Sequence, residues 1–392
     1  MTRAAAPRVR ALAFHAEYRC RNAGVCCSSG WDIPVEPDAE GGLRAALGAG
    51  TLPGGEPALR PLSGLPHGAR VVLARDAAGR CVFLEAEGDP RRCSVHRRLG
   101  EGALPSACRQ FPRVATLTPL GVSVTLSHYC PTAASLLFAP VGLQVVEDPP
   151  AFPRSWPWEG LDARDALPPF LRPGVLMSWP SLERWERFAV DVLADEDRTP
   201  EAALDVLADA AEEARRWARE RGEFEGYLEG ALEGALSGRG GGTRPAVQGA
   251  LRDGSRYPRD PARWGSRGWH LVADCVPDRA LVPPAPEGLE DADARWVAPA
   301  WPTLGRPICR WLAAKAFASW LVLQGAGLRT AVLGLRVALG VLRAEAARGG
   351  AEAGRALDAE LLKDAVRRAD LLLVHLADPE ALARALGARS GP

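Results

Sequence analysis

Lysine is almost missing from this chain. Of its 48 basic residues only Lys315 and Lys363 are lysines, and the others are arginines. Together with 41 glycines and 34 prolines, this has the character of a coding bias rather than a design for binding phosphate. An excess of one charge is missing too. The 48 basic residues face 48 acidic ones, for a formal net charge of +0. No global field therefore draws the chain to nucleic acid or to an anionic membrane. Long hydrophobic runs are also lacking. The most apolar region, residues 309–342, is cut by Arg310, Lys315, Arg329 and Arg336, and its longest uncharged stretch is the 13 residues 316–328. A bilayer span needs ~20. The opening MTRAAAPRVRALAFHAEYRC has no apolar region of the kind a secretory signal carries. The expectation is a soluble, cytoplasmic protein without membrane or nucleic-acid partners. A P-loop, a Gly-rich dinucleotide fingerprint after a strand and a Ser/His/Asp signature are absent as well.

What is present is a concentration of cysteine. Seven of the nine cysteines, Cys20, Cys26, Cys27, Cys81, Cys93, Cys108 and Cys130, lie in the first third of the chain, and only Cys275 and Cys309 lie beyond. In a reducing compartment, clustered thiols are ligands or redox groups more often than disulfides. The adjacent pair Cys26–Cys27 strengthens this, because neighbouring cysteines seldom bridge each other. Thiolate is the soft ligand of zinc, Cu(I) and iron–sulfur clusters. Seven thiols exceed the four that one such site needs. The spacing matches neither the usual zinc fingers nor bacterial ferredoxins, so spacing leaves the metal open. His15, His96 and His128 lie near Cys20, Cys93 and Cys130 and are candidate substitute ligands, although a lone histidine is more often structural. His67, His270 and His375 carry no positional argument.

The pattern of the chain predicts an α+β fold. A small cysteine-rich domain with short antiparallel strands is expected over residues 1–148, and a mostly helical domain over 149–392. Residues 20–29 read as a loop and residues 39–47 as a short helix. Residues 69–75 and 81–84 read as strands joined by Asp76-Ala77-Ala78-Gly79, with a turn at Gly88-Asp89-Pro90 leading to Cys93. A second hairpin pairs 114–118 with 122–127 through Pro119-Leu120-Gly121. Cys108 sits in a single helical turn ended by Pro112, and Cys130-Pro131 opens a helix. Beyond the Pro-rich stretch at 147–180, helices are expected over 181–195, 200–221, 308–323, 329–348 and 359–376, with a short terminal helix from Pro379. Thr199-Pro200 and Asp358 supply start signals. SGRGGGT at 237–243 reads as a linker, and 244–305 as mostly irregular. Arg109 and Arg113 are candidates for neutralising an anionic cluster or gripping a carboxylate, weighed against plain solvation. Trp31-Asp32 reads as a hydrophobic anchor or the rim of the site.

One stretch matches a known pattern. Cys20-Arg-Asn-Ala-Gly-Val-Cys26-Cys27-Ser-Ser-Gly-Trp31-Asp-Ile33 resembles the opening motif of the zinc- or iron-chelating cysteine-cluster family, and is closest to its flagellin lysine-N-methylase branch. Cys81-Val-Phe-Leu84, Cys93-Ser-Val-His96, Cys108-Arg-Gln-Phe-Pro-Arg113 and Leu126-Ser-His-Tyr-Cys130-Pro131 follow in the family's order. The resemblance covers about residues 18–138. The broader family opens Cys-x2-Cys-x2-Cys-Cys, whereas here five residues separate Cys20 from the pair. The resemblance implies a metal centre of the seven thiols, a [4Fe–4S] cluster in that branch or else zinc. It also implies transfer of a methyl group from S-adenosylmethionine to a lysine of a protein partner. A non-enzymatic zinc- or iron-binding module is the alternative reading. The Cys-x3-Cys-x2-Cys triplet of radical S-adenosylmethionine enzymes is not present.

Overall fold

A computed structural model describes residues 6–390 except 22, 67, 86–91, 238–260, 286 and 326. His67, the Gly88-Asp89-Pro90 turn and nearly all of the 237–243 linker lie outside the described residues. The fold is α+β, with small sheets and a large helical body.

The strands are β1 (Val9–Leu12), β2 (Pro34–Val35), β3 (Leu59–Pro61), β4 (Val71–Leu73), β5 (Arg113–Thr118), β6 (Gly121–Leu126), β7 (Val145–Glu147), β8 (Leu161–Asp162), β9 (Phe170–Arg172) and β10 (Val175–Leu176). The largest sheet runs β7-β1-β6-β5-β8. The expectation of antiparallel strands alone is corrected here: β1 lies parallel to β6, and β5 parallel to β8. All four residues of β1 are buried, as a central strand requires. Its Arg10 is held 3.0 Å from both Glu183 and Glu186. The expected hairpin forms, with Arg113 opposite Leu126 and Thr118 opposite Gly121. Gly121 has φ 139°, and a Cβ there would lie 2.4 Å from the Arg8 carbonyl oxygen, so only glycine lets β1 approach.

The second sheet, β2-β4-β3, is antiparallel and closes a small apolar core around Val35, Leu43, Leu59, Leu73, Phe83 and Val95. The strand expected over 69–75 is only Val71–Leu73. Residues 81–84 form no strand; isolated antiparallel bridges join Arg75 to Cys81 and Leu84 to Cys93. The chain turns there, with the Leu84 amide donating to the Cys81 carbonyl at 2.9 Å, and Phe83 is driven fully into the core.

The helices of this part are α1 (Val25–Ser28), within the expected loop, α2 (Pro37–Gly48), α3 (Ser94–Leu99), α4 (Ser106–Gln110) and α5 (Pro131–Leu136). The helical body follows as α6 (Trp179–Ala194), α7 (Pro200–Arg215), α8 (Phe224–Leu236), α9 (Pro261–Ala273), α10 (Leu289–Ala292), α11 (Gly305–Ala316), α12 (Trp320–Gln324), α13 (Leu328–Ala353), α14 (Ala359–Asp370) and α15 (Pro379–Ser390). Ser178, Thr199 and Asp358 cap α6, α7 and α14, each accepting from a backbone amide three residues on.

Three helical expectations change. The α7 helix stops at Arg215 because Arg172 takes the carbonyls of Arg215 and Trp217, at 3.0 and 3.3 Å. The helix expected over 308–323 breaks into α11 and α12 at Ala318, which has φ 56° and whose amide donates to Glu186 Oε1 at 3.1 Å. Within the stretch expected to be irregular, α9 packs on α13. A Cβ on Gly265 or Gly268 would lie 3.3 or 3.2 Å from the Gly340 or Val337 carbonyl oxygen, so these glycines serve close helix packing. The main apolar core joins these helices and takes in Leu12 from the first strand and Phe14 just after it. Among the described residues no helix is long and apolar enough to cross a membrane.

Candidate metal centre

Five of the seven thiols gather beside the small apolar core. Gly24, at φ 71°, reverses the chain into α1, and that turn places Cys26 and Cys27 with their sulfurs 3.9 Å apart. The Cys81 amide donates to the Cys27 carbonyl at 2.7 Å, which ties the third thiol to the same turn. Cys93 is the residue before α3, and its thiol hydrogen-bonds Cys27. Cys108 lies on α4 and packs against the same core. The hydrogen bond from Cys27, followed by the backbone amides of His96 and Val95, outweighs burial at Cys93 and brings its pKa down to about 6. Cys26 is lowered for the same first reason. Cys27 is raised because it keeps the proton it shares with Cys26 and Cys93. Burial pushes Cys81 up to about 11 and Cys108 well above the ordinary thiol range, and the charges of neighbouring cysteines add to both.

Cys20 and Cys130 gather around Tyr18. Tyr18 is buried and its hydroxyl hydrogen-bonds the Cys130 thiol; burial, then the charges of Cys130 and Cys20, raise its pKa. Arg113 stands over this group, its guanidinium 4.5 Å from the Trp156 ring centre and 5.8 Å from that of Tyr18. It donates to the Arg109 carbonyl at 2.9 Å, so it is packed among rings rather than solvated. Cys275 and Cys309 are buried in the helical core. None of the nine cysteines is in a disulfide. Among the described residues no three His, Cys, Asp or Glu side chains stand, as arranged, in a geometry that holds a metal ion.

The histidines weighed as substitute ligands are placed elsewhere. His96 lies half-buried on α3. His15 and His128 are fully buried and face each other, Nε2 to Nε2, at 3.1 Å. Asp370, at the end of α14, accepts from the His128 amide at 2.6 Å, His128 Nδ1 at 3.3 Å and Trp311 Nε1 at 2.9 Å. Lys315 Nζ lies 2.6 Å from Oδ1, the oxygen that Trp311 also reaches. The carboxylate requires a proton on His128 Nδ1, which leaves Nε2 to accept from His15 Nε2–H. Burial keeps both rings neutral, lowering each pKa. At Asp370 burial acts upward, yet Lys315 and His128 hold the carboxyl below the usual range. Sequence reasoning missed Asp370 and Lys315. A signal existed: each is a charge set in an apolar helical stretch, and Lys315 is one of two lysines.

His375 was also given no role. It lies on a π-helical turn, Leu371–Leu376, and its Nε2 is 2.7 Å from Ser127 Oγ. There it meets Trp31, Phe111 and Tyr129. The six ring-to-ring distances among these four residues run from 4.7 to 6.5 Å. Trp31 also packs against the apolar core that carries Cys27, Cys81, Cys93 and Cys108. Elsewhere a groove of about 630 Å³ opens between the start of α7 and the start of α11, lined by Glu196, Arg198, Trp301 and Arg306 among others. Arg306 pairs there with Glu196 at 3.1 Å, and none of the seven clustered cysteines lines it. Comparison with protein-family models, curated proteins and solved structures finds no match to this chain.

Proposed function

We propose that the chain carries a thiolate-bound metal centre, a [4Fe–4S] cluster or zinc, held by four of Cys26, Cys27, Cys81, Cys93 and Cys108. The observation that carries this reading is the gathering of these five thiols at one edge of a buried core, with Cys27 bonded to both Cys26 and Cys93. The donor set fits the group in kind, since all five are soft sulfur ligands. In two of them, Cys26 and Cys93, the hydrogen bond from Cys27 shifts the thiol toward the thiolate form that binds metal. The cysteine-rich segment would then be a metal-binding domain within the α+β fold.

We further propose that this centre serves methyl transfer from S-adenosylmethionine to a lysine of a protein partner. This half rests on the resemblance of the motifs between Cys20 and Pro131. In that reaction the neutral lysine amine takes the methyl group from the sulfonium sulfur. S-adenosylhomocysteine leaves, and one proton is released.

Anaerobic purification followed by metal and sulfide analysis tests the centre. About four iron and four sulfide per chain, with a broad visible absorption, identify the cluster. Colourless protein with one zinc per chain identifies a zinc module. Protein lacking both metals overturns the centre. Incubation with methyl-labelled S-adenosylmethionine and cell extract tests the reaction, and no labelled protein from a metal-replete sample overturns the methyl-transfer half alone.

A further inference from the structure

We propose that the ring cluster of Trp31, Phe111, Tyr129 and His375 binds an alkyl-onium cation, an ammonium or a sulfonium, at the edge of the thiol centre. Naming this class of ligand rests on the methyl-transfer reading, but the site is argued from its own geometry. Four rings meet at one place: Phe111 and Tyr129 from the two chain ends of the β5–β6 hairpin, Trp31 from the segment after α1 and His375 from the turn after α14. Three of them belong to the thiol motifs themselves: Trp31 follows Cys27, Phe111 follows Cys108 and Tyr129 precedes Cys130. The rings are tilted or edge-on to one another, at 39° to 79°, and none is stacked flat. Tilted rings form walls, and an aromatic wall offers a cation its negative face within about 6 Å of the ring centre.

The charges beside the rings are satisfied within the protein. His375 is neutral and adds no competing charge. Two cations felt by these residues are already engaged: Lys315 on Asp370, and Arg367 on Asp364 and the Tyr129 carbonyl. In this arginine-rich chain, eleven rings elsewhere carry a guanidinium or ammonium over them. Among the described residues none of these cations stands over Trp31, Phe111, Tyr129 or His375. All four are half-buried, so the cluster is sheltered and still reachable from solvent. The rings are closed to contact distance, so a cation seats over the solvent-facing rim or spreads the rings. His375 sits on a π-turn, a helix type that recurs at functional sites, and Ser127 Oγ fixes its ring at 2.7 Å.

Calorimetric titration of the metal-containing protein tests the site. The probes are S-adenosylmethionine against its neutral counterpart S-adenosylhomocysteine, and trimethyl-lysine amide against its uncharged carbon isostere. Saturable binding of either cation, about tenfold tighter than its neutral counterpart, is the expected result. Binding of the sulfonium alone assigns the site to the methyl donor, and binding of the ammonium alone assigns it to the acceptor side chain. Trp31→Ala abolishes the preference. Trp31→Phe, which keeps a ring and serves where the alanine variant does not fold, retains a weakened one. Equal affinity for charged and neutral probes, or unchanged binding by both variants, overturns the proposal. Metal content measured on the same samples separates the two readings. Metal-replete protein that binds no cation removes the ring site and leaves the centre standing; metal-free protein that binds the cation does the reverse.

Discussion

Lys315 and Asp370 form a buried ion pair, with Nζ 2.6 Å from Oδ1 and the carboxylate wholly out of solvent. Through Asp370 the pair reaches His128 and, beyond it, His15. Helices α11 and α14 are thereby fastened to the turn that carries Ser127, His128 and Tyr129.

Removing the cation leaves Asp370 buried with only neutral donors. Lys315→Met is therefore expected to cost about 3 kcal/mol. An unfolding free energy from urea denaturation lowered by that amount is the outcome to look for. Unchanged stability would mean that the three neutral donors to Asp370 satisfy it alone.

Acid weakens the same region before the carboxylates titrate. Burial, opposed by Asp370 and reinforced by Lys315, pushes the His375 pKa down to about 4. An unfolded histidine titrates near about 6.5. Between those values the unfolded chain holds a proton that the native ring refuses. Stability therefore falls as pH drops through this window, by up to about 1.4 kcal/mol per unit for one histidine. His15 is shifted in the same direction and adds to the slope. Asp370 is held low, so its contribution is kept down to the ordinary carboxyl range of about 4 and lost below it. Denaturation at pH 7, 6 and 5 should show the decline, and His375→Gln should flatten it.

Glycine should have opposite effects at two nearby alanines. Ala318 has φ 56°, a left-handed conformation that costs a residue with a Cβ roughly 1–2 kcal/mol. Ala318→Gly is expected to raise stability by up to about 1 kcal/mol after the entropy of the unfolded glycine is subtracted. Ala313, inside α11, has no such strain, and Ala313→Gly is expected to lower stability by about 1 kcal/mol or more. Thermal melts of the two variants check the contrast.

The thiols should separate by their effect on bound metal. Serine at Cys27 or Cys93, the residues bonded to each other, is expected to lower metal content at least tenfold. Alanine at Cys275 or Cys309 is expected to leave it unchanged, because both lie in the helical core. Metal analysis of the four variants decides, and equal loss across all four would remove the assignment of the centre to the clustered set.

What could be read in advance was what local chemistry decides. Thr199 and Asp358 cap helices because a short side chain reaches an amide three residues on. Pro119-Leu120-Gly121 turns a hairpin for an equally local reason. The α9 helix was hidden because its glycines, poor helix formers alone, are there to meet α13. The break at Ala318 was hidden because its cause is Glu186, on another helix. Among the candidate ligands, spacing sets Cys20 beside Cys26, while Tyr18 draws it toward Cys130. His15 and His128 each sat near a cysteine in the chain, yet their partner is each other, 113 residues apart. Asp370 lies 242 residues from the histidine it holds, and no local pattern reports that.

The placing of β1 between β6 and β7 has a consequence for biogenesis. This strand leaves the ribosome well before its hydrogen-bonding neighbours, which begin at Gly121 and Val145. At about 5–20 residues per second, the strand waits several seconds with both edges bare. Through that interval its backbone N–H and C=O groups pair only with water, and the central sheet closes only after the β5–β6 hairpin has been made.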